Sequence, residues 1–467
     1  MYTYQDLLKI RESNKDVMEF VQMLIHSHKN SEMYETAIVA EKYDTRRNET
    51  ILNYQKLLYT ISGQAVPDNY SANYKLCSNF FNRFVTQQNQ YLLGNGASIS
   101  GINKDSLGKD FDTRLQELGR NALVAGVAFG FWNYDHLEVF KFKEFAPLYD
   151  EENGALMAGV RFWQIDPIKP MRATLYELDG YTEFIWRNGK GEILQDKRQY
   201  VLRTRTTPAD GLEIYDGYNY PTFPIIPLWG NPARQSELVG IREQIDAYDL
   251  IKSGFANDLD DASQIYWTIQ NAGGMDDIDL AKFVERMKTV KAAVVDDDGA
   301  KAESHTIEVP YGSREALLER LRSDLYDDYM ALDTKNIVGG SATATQIRAS
   351  YEPVNNKADM YEYCIHDFCN SLFELIGATD AEVSFTRSMI INVQENIQVL
   401  IQAAQYLPED YITTKILETL GDTDKAEEII KIMTEQDAER MMTDEAENES
   451  GSADDRQNVG GTGEKNQ

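Results

Sequence analysis

Three groups of residues in the sequence have types and spacings that could support chemistry. The first is the loop Gly339-Gly340-Ser341, which lies directly before a predicted helix. Helix N-termini present free N–H groups and a favourable dipole, so such a loop could hold a phosphate. The chain contains no G-x-x-x-x-G-K-S/T motif, however. Two interpretations therefore stand: a phosphate- or nucleotide-binding loop, and a connector whose following helix is capped by Ser341 or Thr343.

The second group, Cys364, His366 and Cys369, contains residue types that bind metals. Only His366 and Cys369 have the i,i+3 spacing that brings two side chains to one face of a helix. Two side chains do not complete a zinc site, which needs four ligands, or three and a water. His26 and His28 point apart on a predicted helix and are interpreted as surface residues. The sequence predicts no bound metal and no cofactor.

The third group consists of adjacent carboxylates, Asp260-Asp261 and Asp327-Asp328, a pairing that can support general acid–base chemistry. Both pairs fall on predicted helices with narrow apolar stripes, where acidic residues are typical of a solvated face. The sequence contains no nucleophile elbow, H-E-x-x-H motif or nucleotide fingerprint. We therefore predict no catalytic residues and a protein that is not an enzyme.

The composition excludes several classes of protein. The 467 residues carry a formal net charge of −30, whereas free-standing nucleic-acid binders show a basic footprint. The three cysteines leave at least one unpaired, which is typical of a reducing compartment. The longest apolar run, 122–132, is much shorter than the roughly 20 residues of a membrane helix, and no secretory signal is visible. We expect a soluble protein, made in a cytoplasm, with no membrane partner.

The elements that must position these residues change in type along the chain. The first 124 residues have mainly helical spacing, and the helix over 76–92 is expected to end at Gly94 in a left-handed cap. Strand patterns follow at 127–133, 137–143, 160–165, 182–186, 193–194 and 199–205. The Asn188-Gly189 pair between two of them is a strong hairpin signal. An antiparallel sheet is therefore predicted.

Two long helices with narrow apolar seams are predicted next, separated by a small insert of mixed type. The first begins after the prolines that end at Pro232, with Asn231 or Ser236 as its N-cap, and the second begins at Ser313. The remaining faces of both helices are acidic. Beyond the glycine loop, Pro353 is expected to kink or restart the next helix, with Asn355 capping its continuation.

Several segments, taken in their order along the chain, resemble the portal proteins of tailed bacteriophages of the siphophage type. They are FPIIPLWGN at 223–231, SEL at 236–238, IDAYD at 245–249 with Ser253 and ND at 257–258, NFFNRF at 79–84 with YLLG at 91–94, the strand at 126–131, and PLYD at 147–150. The resemblance extends from about residue 20 to 440 and lies in the order of these patterns.

The resemblance implies an α+β, mainly helical portal fold with an antiparallel β wing, two long stem helices, a small α/β clip insert and a helical crown. The parts would be a wing at 1–235, stem helices at 236–264 and 313–332, a clip at 265–312, a tunnel loop at 333–345, a long kinked helix and wing return at 346–393, a crown at 394–441, and a disordered acidic tail at 442–467.

The resemblance also implies a function: a homo-oligomeric ring, usually of twelve subunits, at one capsid vertex. Double-stranded DNA would pass through its channel during packaging and ejection. The implied protein partners are the terminase large subunit, scaffolding protein, major capsid protein and a head–tail adaptor. The implied location is the virion, after assembly in the host cytoplasm. Two alternatives remain, a phosphate- or nucleotide-binding protein using the glycine loop and another viral head–tail connector, although connectors of that kind are usually shorter.

In this interpretation the site residues belong to the loop and to the two long helices. The tunnel-loop residues are Lys335, Asn336, Gly339, Gly340, Ser341 and Thr343. The candidates for the channel face of the stem are Asp246, Asp249, Asp324, Asp327 and Asp328. Acidic walls weaken the electrostatic attraction of DNA phosphates, which suits a channel through which DNA must slide. Lys335 is the predicted phosphate contact.

Overall fold

The computed structural model describes residues 2–13, 15–59, 63–69, 71–187, 189–206, 213–262, 266–270, 278, 282, 301–305, 311–335, 344–388, 393–420 and 429–433. The chain divides into two compact units, 1–340 with 349–388, and 341–348 with 389–467. Each unit is described separately below.

Helices and antiparallel strands occupy largely separate stretches of the chain, as expected for an α+β fold. The helices are α1 (Tyr4–Glu12), α2 (Val17–Lys29), α3 (Glu32–Asp44), α4 (Glu49–Asn53), α5 (Phe80–Leu93), α6 (Phe111–Ala125), α7 (Arg242–Ala262), α8 (Tyr311–Tyr329), α9 (Ala344–Ser350), α10 (Glu352–Leu375), α11 (Val393–Ala403) and α12 (Glu409–Leu420). Side-chain caps fix the first three: Thr3, Asp16 and Ser31 each accept a hydrogen bond from a backbone N–H of the first turn.

Every sheet in the described part of the chain is antiparallel. The strands are β1 (Leu57–Tyr59), β2 (Ala65–Pro67), β3 (Ala97–Ser100), β4 (Val127–Asn133), β5 (His136–Lys141), β6 (Phe145–Tyr149), β7 (Leu156–Trp163), β8 (Met171–Glu177), β9 (Gly180–Arg187), β10 (Lys190–Arg198), β11 (Val201–Thr206), β12 (Glu213–Tyr218), β13 (Ile225–Trp229), β14 (Tyr266–Gln270), β15 (Lys301–His305) and β16 (Glu382–Phe385). Strands β6 to β10 form a five-stranded meander, and β13-β4-β5 forms a three-stranded sheet. The remaining strands pair as β1-β2, β3-β16, β11-β12 and β14-β15.

Three apolar clusters form the core of the first unit. One lies between the five-stranded meander and helices α1 and α2. A second, rich in phenylalanine, lies between the meander and the three-stranded sheet. The third and largest packs α5 and α6 against α10 and the ends of α7 and α8. Helix α8 is buried at its C-terminal end, at Leu325, Tyr326 and Tyr329. The buried apolar residues of α7 lie at and just before its start, at Leu238, Ile241 and Ile245, and further along it the buried residues are polar.

The predicted antiparallel sheet is present, but the left-handed conformation predicted for Gly94 and both candidate caps of the first long helix are wrong. Gly94 has φ −62 and right-handed backbone, and the left-handed residue is instead Gly96, with φ 77. Helix α7 begins at Arg242, so neither Asn231 nor Ser236 caps it. Ser236 instead caps a preceding turn, accepting a hydrogen bond from the Leu238 N–H at 3.1 Å and donating one to the Val124 carbonyl at 2.6 Å.

The helix near Pro353 restarts rather than continuing through a kink. Helix α9 ends at Ser350 and α10 begins at Glu352, with Pro353 in its first turn. Proline is tolerated there because the N–H groups of a first turn have no intrahelical acceptor. Asn355 lies inside α10 and does not cap it.

In the second unit, which also contains the start of α9, helices α11 and α12 are described over their whole length. They are joined by a turn that contains Pro408.

The strands β14 and β15 of the first unit pair in antiparallel register, from Tyr266 opposite His305 to Gln270 opposite Lys301. Most of the predicted insert between these strands, and all of the predicted tail at 442–467, lies outside the described residues.

Candidate functional site: two long helices and the loop that follows them

Helices α7 and α8 are held together by polar and aromatic contacts along their length. Arg314 of α8 forms an ion pair with Asp258 of α7. The rings of Phe255 and Tyr311 meet edge to face, with centroids 5.7 Å apart. Since Arg314 also lies over the Phe255 ring, at 6.0 Å, the ion pair and the ring contact fix the same part of the helix pair.

Two of the five predicted channel-face acids point into the subunit instead. Asp246 accepts hydrogen bonds from the Tyr43 hydroxyl and, at 2.7 Å, from the Thr50 hydroxyl. Asp249 is fully buried; it accepts one from the Asn48 amide and one, at 2.8 Å, from the Ser78 N–H. The expectation that Asp249 faces a channel is therefore wrong. Its carboxylate joins α7 to the segment before α5.

Asp249 is the first of three α7 side chains that bind the same extended segment. Asp249 accepts a hydrogen bond from the Ser78 N–H at 2.8 Å. One helical turn later, Ser253 accepts one from the Leu76 N–H at 2.9 Å. After a further turn, Asn257 accepts one from the Tyr74 N–H at 2.6 Å. The acceptors are four residues apart on the helix, a rise of about 6 Å. The donors are two residues apart on the extended segment, a rise of about 6.6 Å. The two distances match, so each acceptor lies opposite a donor. One face of α7 thus acts as a hydrogen-bonding edge for an extended chain.

The three acids on α8 are nearer to solvent. Asp324 pairs with Arg320 one turn earlier, at 2.9 Å, and Asp327 is exposed. Asp328 is also exposed and accepts a hydrogen bond from Gln244 of α7. Of the predicted acidic set, the α8 members therefore remain on the subunit surface.

The chain that leaves α8 is held in place before the glycine loop begins. The Gln87 side chain of α5 forms two hydrogen bonds to the backbone of Leu332. It accepts one from the Leu332 N–H at 3.0 Å and donates one to the Leu332 carbonyl at 3.1 Å. Asp333 pairs with Arg322 at 2.7 Å and accepts from the Lys335 N–H at 3.1 Å. Burial alone would raise the pKa of Asp333, but these two bonds outweigh it and lower that pKa below its ordinary value. The Lys335 side chain is exposed.

The remaining predicted loop residues, Asn336, Gly339, Gly340, Ser341 and Thr343, lie outside the described residues. On the far side of the loop, α10 is tied to the same helix α5. The Tyr91 hydroxyl donates to Asn355 at 2.6 Å, and Arg387 donates to Asn355 at 3.1 Å and to Glu362 at 2.7 Å. One helix therefore fixes the chain before the loop and after it.

A buried polar network lies between these two anchors. Lys357 pairs with Glu237 at 2.7 Å, and its ammonium lies 3.4 Å from the centre of the Tyr329 ring. The Tyr329 hydroxyl donates to Gln88 at 2.8 Å. Burial lowers the pKa of Lys357, and the neighbouring Glu237 opposes that shift. The sequence analysis did not predict this network, although the polar Gln88 lies within the helix predicted over 76–92.

The metal-binding residue types are not brought together. Cys369 is buried, and burial raises its thiol pKa to about 12, so it stays protonated and is a poor ligand or nucleophile. His28 is buried, contrary to the expectation of a surface residue; its Nε2 lies 2.9 Å from the Phe142 carbonyl. Within the ranges that the structure describes, no group of three His, Cys, Asp or Glu side chains could hold a metal ion. In the same ranges, no helix combines the length and apolar character needed to cross a membrane.

Comparison with known proteins gives one consistent family. The family described as "Phage portal protein, SPP1 Gp6-like" matches residues 26–445. The chain is 25% identical over 378 residues to the portal protein of Clostridium phage phiCD119, covering 73% of this chain and 81% of that protein. It is 24% identical over 430 residues to the portal protein of Bacillus phage SPP1, covering 84% of this chain and 82% of that protein. The chain therefore belongs to the phage portal protein family.

Proposed function

We propose that this chain forms the ring at one vertex of a phage capsid through which DNA is packaged and ejected. The observation that carries the proposal is the family match, which runs through nearly all of the chain in one alignment, residues 26–445. The described structure is compatible with it, because the apolar core reaches only one end of each of the long helices α7 and α8. Such helices gain burial by packing beside copies of themselves.

We assign the parts of the ring by the order of elements. The wing takes the helices and sheets of 1–235. Helices α7 and α8 form the stem, and the insert that contains β14 and β15 forms the clip. The glycine loop at 333–345 is the tunnel loop, 346–393 is the helix pair and wing return, and 394–441 is the crown, with an acidic tail beyond it.

Within this arrangement, Asp324, Asp327 and Asp328 are the proposed channel-face residues of the stem. Their placement on the surface of α8 supports the choice, whereas Asp246 and Asp249 are occupied by contacts inside the subunit. Lys335, with an exposed side chain, remains the proposed phosphate contact at the start of the tunnel loop. A mainly acidic wall with a single lysine at its narrowest part limits phosphate affinity and so favours sliding.

The proposed partners are eleven further copies of the chain, DNA in the channel, the terminase large subunit, the scaffolding and major capsid proteins, and a head–tail adaptor. The ring has no catalysis of its own in this account, because the terminase supplies the work of packaging. Assembly takes place in the host cytoplasm, and the mature protein is part of the virion.

The tunnel-loop assignment is tested by replacing Gly339 and Gly340 with Val. Only glycine adopts left-handed backbone at little cost, so this change stiffens the loop. If the loop guides DNA, rings and procapsids form normally, and the DNA packaged per capsid falls. If the loop binds a nucleotide, the change abolishes nucleotide binding to the purified protein and leaves packaging unchanged. If it is a connector only, ring yield falls. Normal rings with normal packaging contradict the assignment.

A further inference from the structure

One of the two-stranded sheets of the first unit, the hairpin β1-β2, exposes most of its apolar side chains to solvent. In the hairpin β1-β2, Leu57 faces Pro67 and Leu58 faces Val66, and within the described residues no third strand joins it. The side chains of Leu57 and Leu58 are 47% and 42% exposed, and all three residues of β2 are exposed. This hairpin therefore buries little apolar surface within its own subunit.

Exposed apolar side chains continue on both sides of the hairpin. The exposed set in this region is Leu52, Tyr54, Leu57, Leu58, Val66 and Tyr74. An isolated two-stranded hairpin is marginally stable in water and needs a further strand or a packed apolar face. Exposed apolar residues that are neighbours in the fold, such as the cross-strand pair Leu58 and Val66, mark an interaction surface more often than single exposed residues do.

The base of the hairpin is fixed, so the apolar residues are presented at a defined place. After the hairpin, Tyr74, Leu76 and Ser78 are held by hydrogen bonds to helix α7. Before it, Asn48 donates to Asp249 of the same helix, and the Lys75 ammonium donates to the Leu52 carbonyl at 2.5 Å. The segments before and after the hairpin are thus both anchored on α7, the helix that we assign to the stem, where neighbouring subunits of the ring pack side by side.

The charge of the region points to one kind of partner. From residue 54 to 75 the sequence contains Lys56, Lys75 and Asp68 as its only charged residues, a net charge of +1, while the whole chain carries −30. A nearly neutral, slightly basic apolar surface complements an acidic one. The acidic surface that every ring subunit meets is that of its neighbour, which is a second copy of this chain.

We infer that the β1-β2 hairpin is an intersubunit arm, whose apolar residues, Leu58 and Val66 on one face and Leu57 on the opposite face, dock on the adjacent copy of the chain and hold the ring together. This inference rests on the proposed ring function. It adds a specific contact to that function, with an acidic surface of the neighbour as the receiving side.

The test is the double variant Leu57→Asp/Leu58→Asp, compared with wild type by native mass spectrometry. The matched control is Ile165→Asp/Ile168→Asp, because those two side chains are 90% and 93% exposed and lie outside the hairpin. We expect the control to form rings like wild type. The hairpin variant should need at least about tenfold more protein to form them, the factor that about 1.4 kcal/mol represents. Its circular dichroism spectrum should be unchanged, because both leucines are exposed.

A photocrosslinking amino acid at position 58 gives a second readout that does not depend on a variant losing its assembly. In rings of otherwise wild-type protein that carries this amino acid, we expect irradiation to give covalent dimers between adjacent subunits. Normal ring formation by the hairpin variant, or crosslinks found only within one subunit, would overturn the inference. So would normal rings that fail to enter procapsids, because the arm would then serve another protein. If wild type itself forms no ring, the proposed function fails together with the arm.

Discussion

The buried Asp249 shows how one residue can be assigned to the wrong face of a helix. Its neighbours on α7 alternate between acids and apolar groups, so a helical wheel places it on an acidic side. The structure instead surrounds its carboxylate with Asn48 and the Ser78 N–H, without a cation among these partners. Burial raises the pKa of this carboxyl group, so in the folded protein the ionised form is disfavoured relative to the unfolded chain.

This shift predicts a pH dependence for the variant Asp249→Asn. Because the pKa of Asp249 is higher in the folded protein than in the unfolded chain, protonation of this residue stabilises the folded wild type at pH values below the ordinary Asp pKa. That stabilisation is lost as the pH rises through the pKa of the folded protein. Wild type should therefore lose stability relative to Asp249→Asn between acid and neutral pH. Urea unfolding at several pH values measures the difference. The control is Asp327→Asn, at an exposed position, and a parallel trend in both variants would contradict the burial argument.

His28 should produce the opposite dependence. Burial, with a smaller contribution from Lys29, lowers its pKa from 6.5 to about 4. The unfolded chain binds the proton more tightly, so stability contributed by neutral His28 is lost as pH falls from 6.5 towards 4. The full shift is worth about 3 kcal/mol, since one pKa unit is about 1.4 kcal/mol. His28→Gln, which keeps a donor for the Phe142 carbonyl, should reduce the acid sensitivity of the melting temperature. An unchanged slope between pH 7 and 4.5 would show that His28 stays neutral for another reason.

At the scale of elements, helix ends explain several differences between prediction and structure. Helices α3 and α8 both end in a left-handed residue that is not glycine, Arg46 with φ 58 and Met330 with φ 61. In each case the next N–H bonds back five residues, Arg47 to the Lys42 carbonyl and Ala331 to the Tyr326 carbonyl. This is the Schellman arrangement, which usually places glycine at the left-handed position. Because neither Arg46 nor Met330 is glycine, the sequence does not indicate that these two helices end in this arrangement.

Met330→Gly should therefore stabilise the subunit by up to about 1 kcal/mol, because glycine adopts this backbone without steric cost. The control is Leu317→Gly, an exposed position in the interior of the same helix, which should lose about 1 kcal/mol through helix propensity. Thermal melting of the two variants beside wild type measures both effects. If Met330→Gly is destabilised as much as the control, the Met330 side chain contributes packing that outweighs the strain.

Gln87 is the element-scale contact that fixes the chain between α8 and the glycine loop. Gln87→Ala removes both hydrogen bonds to Leu332 and should cost about 1–3 kcal/mol, because the buried Leu332 peptide loses its partners. Amide hydrogen exchange at Leu332 should rise accordingly. The control Gln90→Ala, on the same helix, removes an exposed side chain whose hydrogen bond to Gln116 is long, at 3.4 Å. Equal exchange at Leu332 in both variants would show that this segment is held by other contacts.

At the scale of the molecule, local patterns predicted the elements, and long-range contacts decided the site. The strand at 127–133 and the Asn188-Gly189 hairpin are encoded by neighbouring residues, and the structure has β4 at Val127–Asn133 and a turn with φ 78 at Gly189 between β9 and β10. The ladder from α7 to Ser78 joins residues more than 170 positions apart, and Gln87 and Leu332 are 245 apart. No local pattern carries such pairings, so neither the inward acids nor the anchors of the loop could be predicted.

We propose that the chain assembles into a ring with a channel. Cryo-electron microscopy of the purified protein tests this assembly most directly, through class averages viewed along the symmetry axis. We predict closed rings of about twelve subunits, because most homo-oligomers have closed cyclic symmetry, and we expect a central opening wide enough for duplex DNA. The α7 and α8 helices should surround that opening, with Asp327 and Asp328 of α8 facing it. A compact monomer at all concentrations, or an assembly without a central opening, would contradict the account.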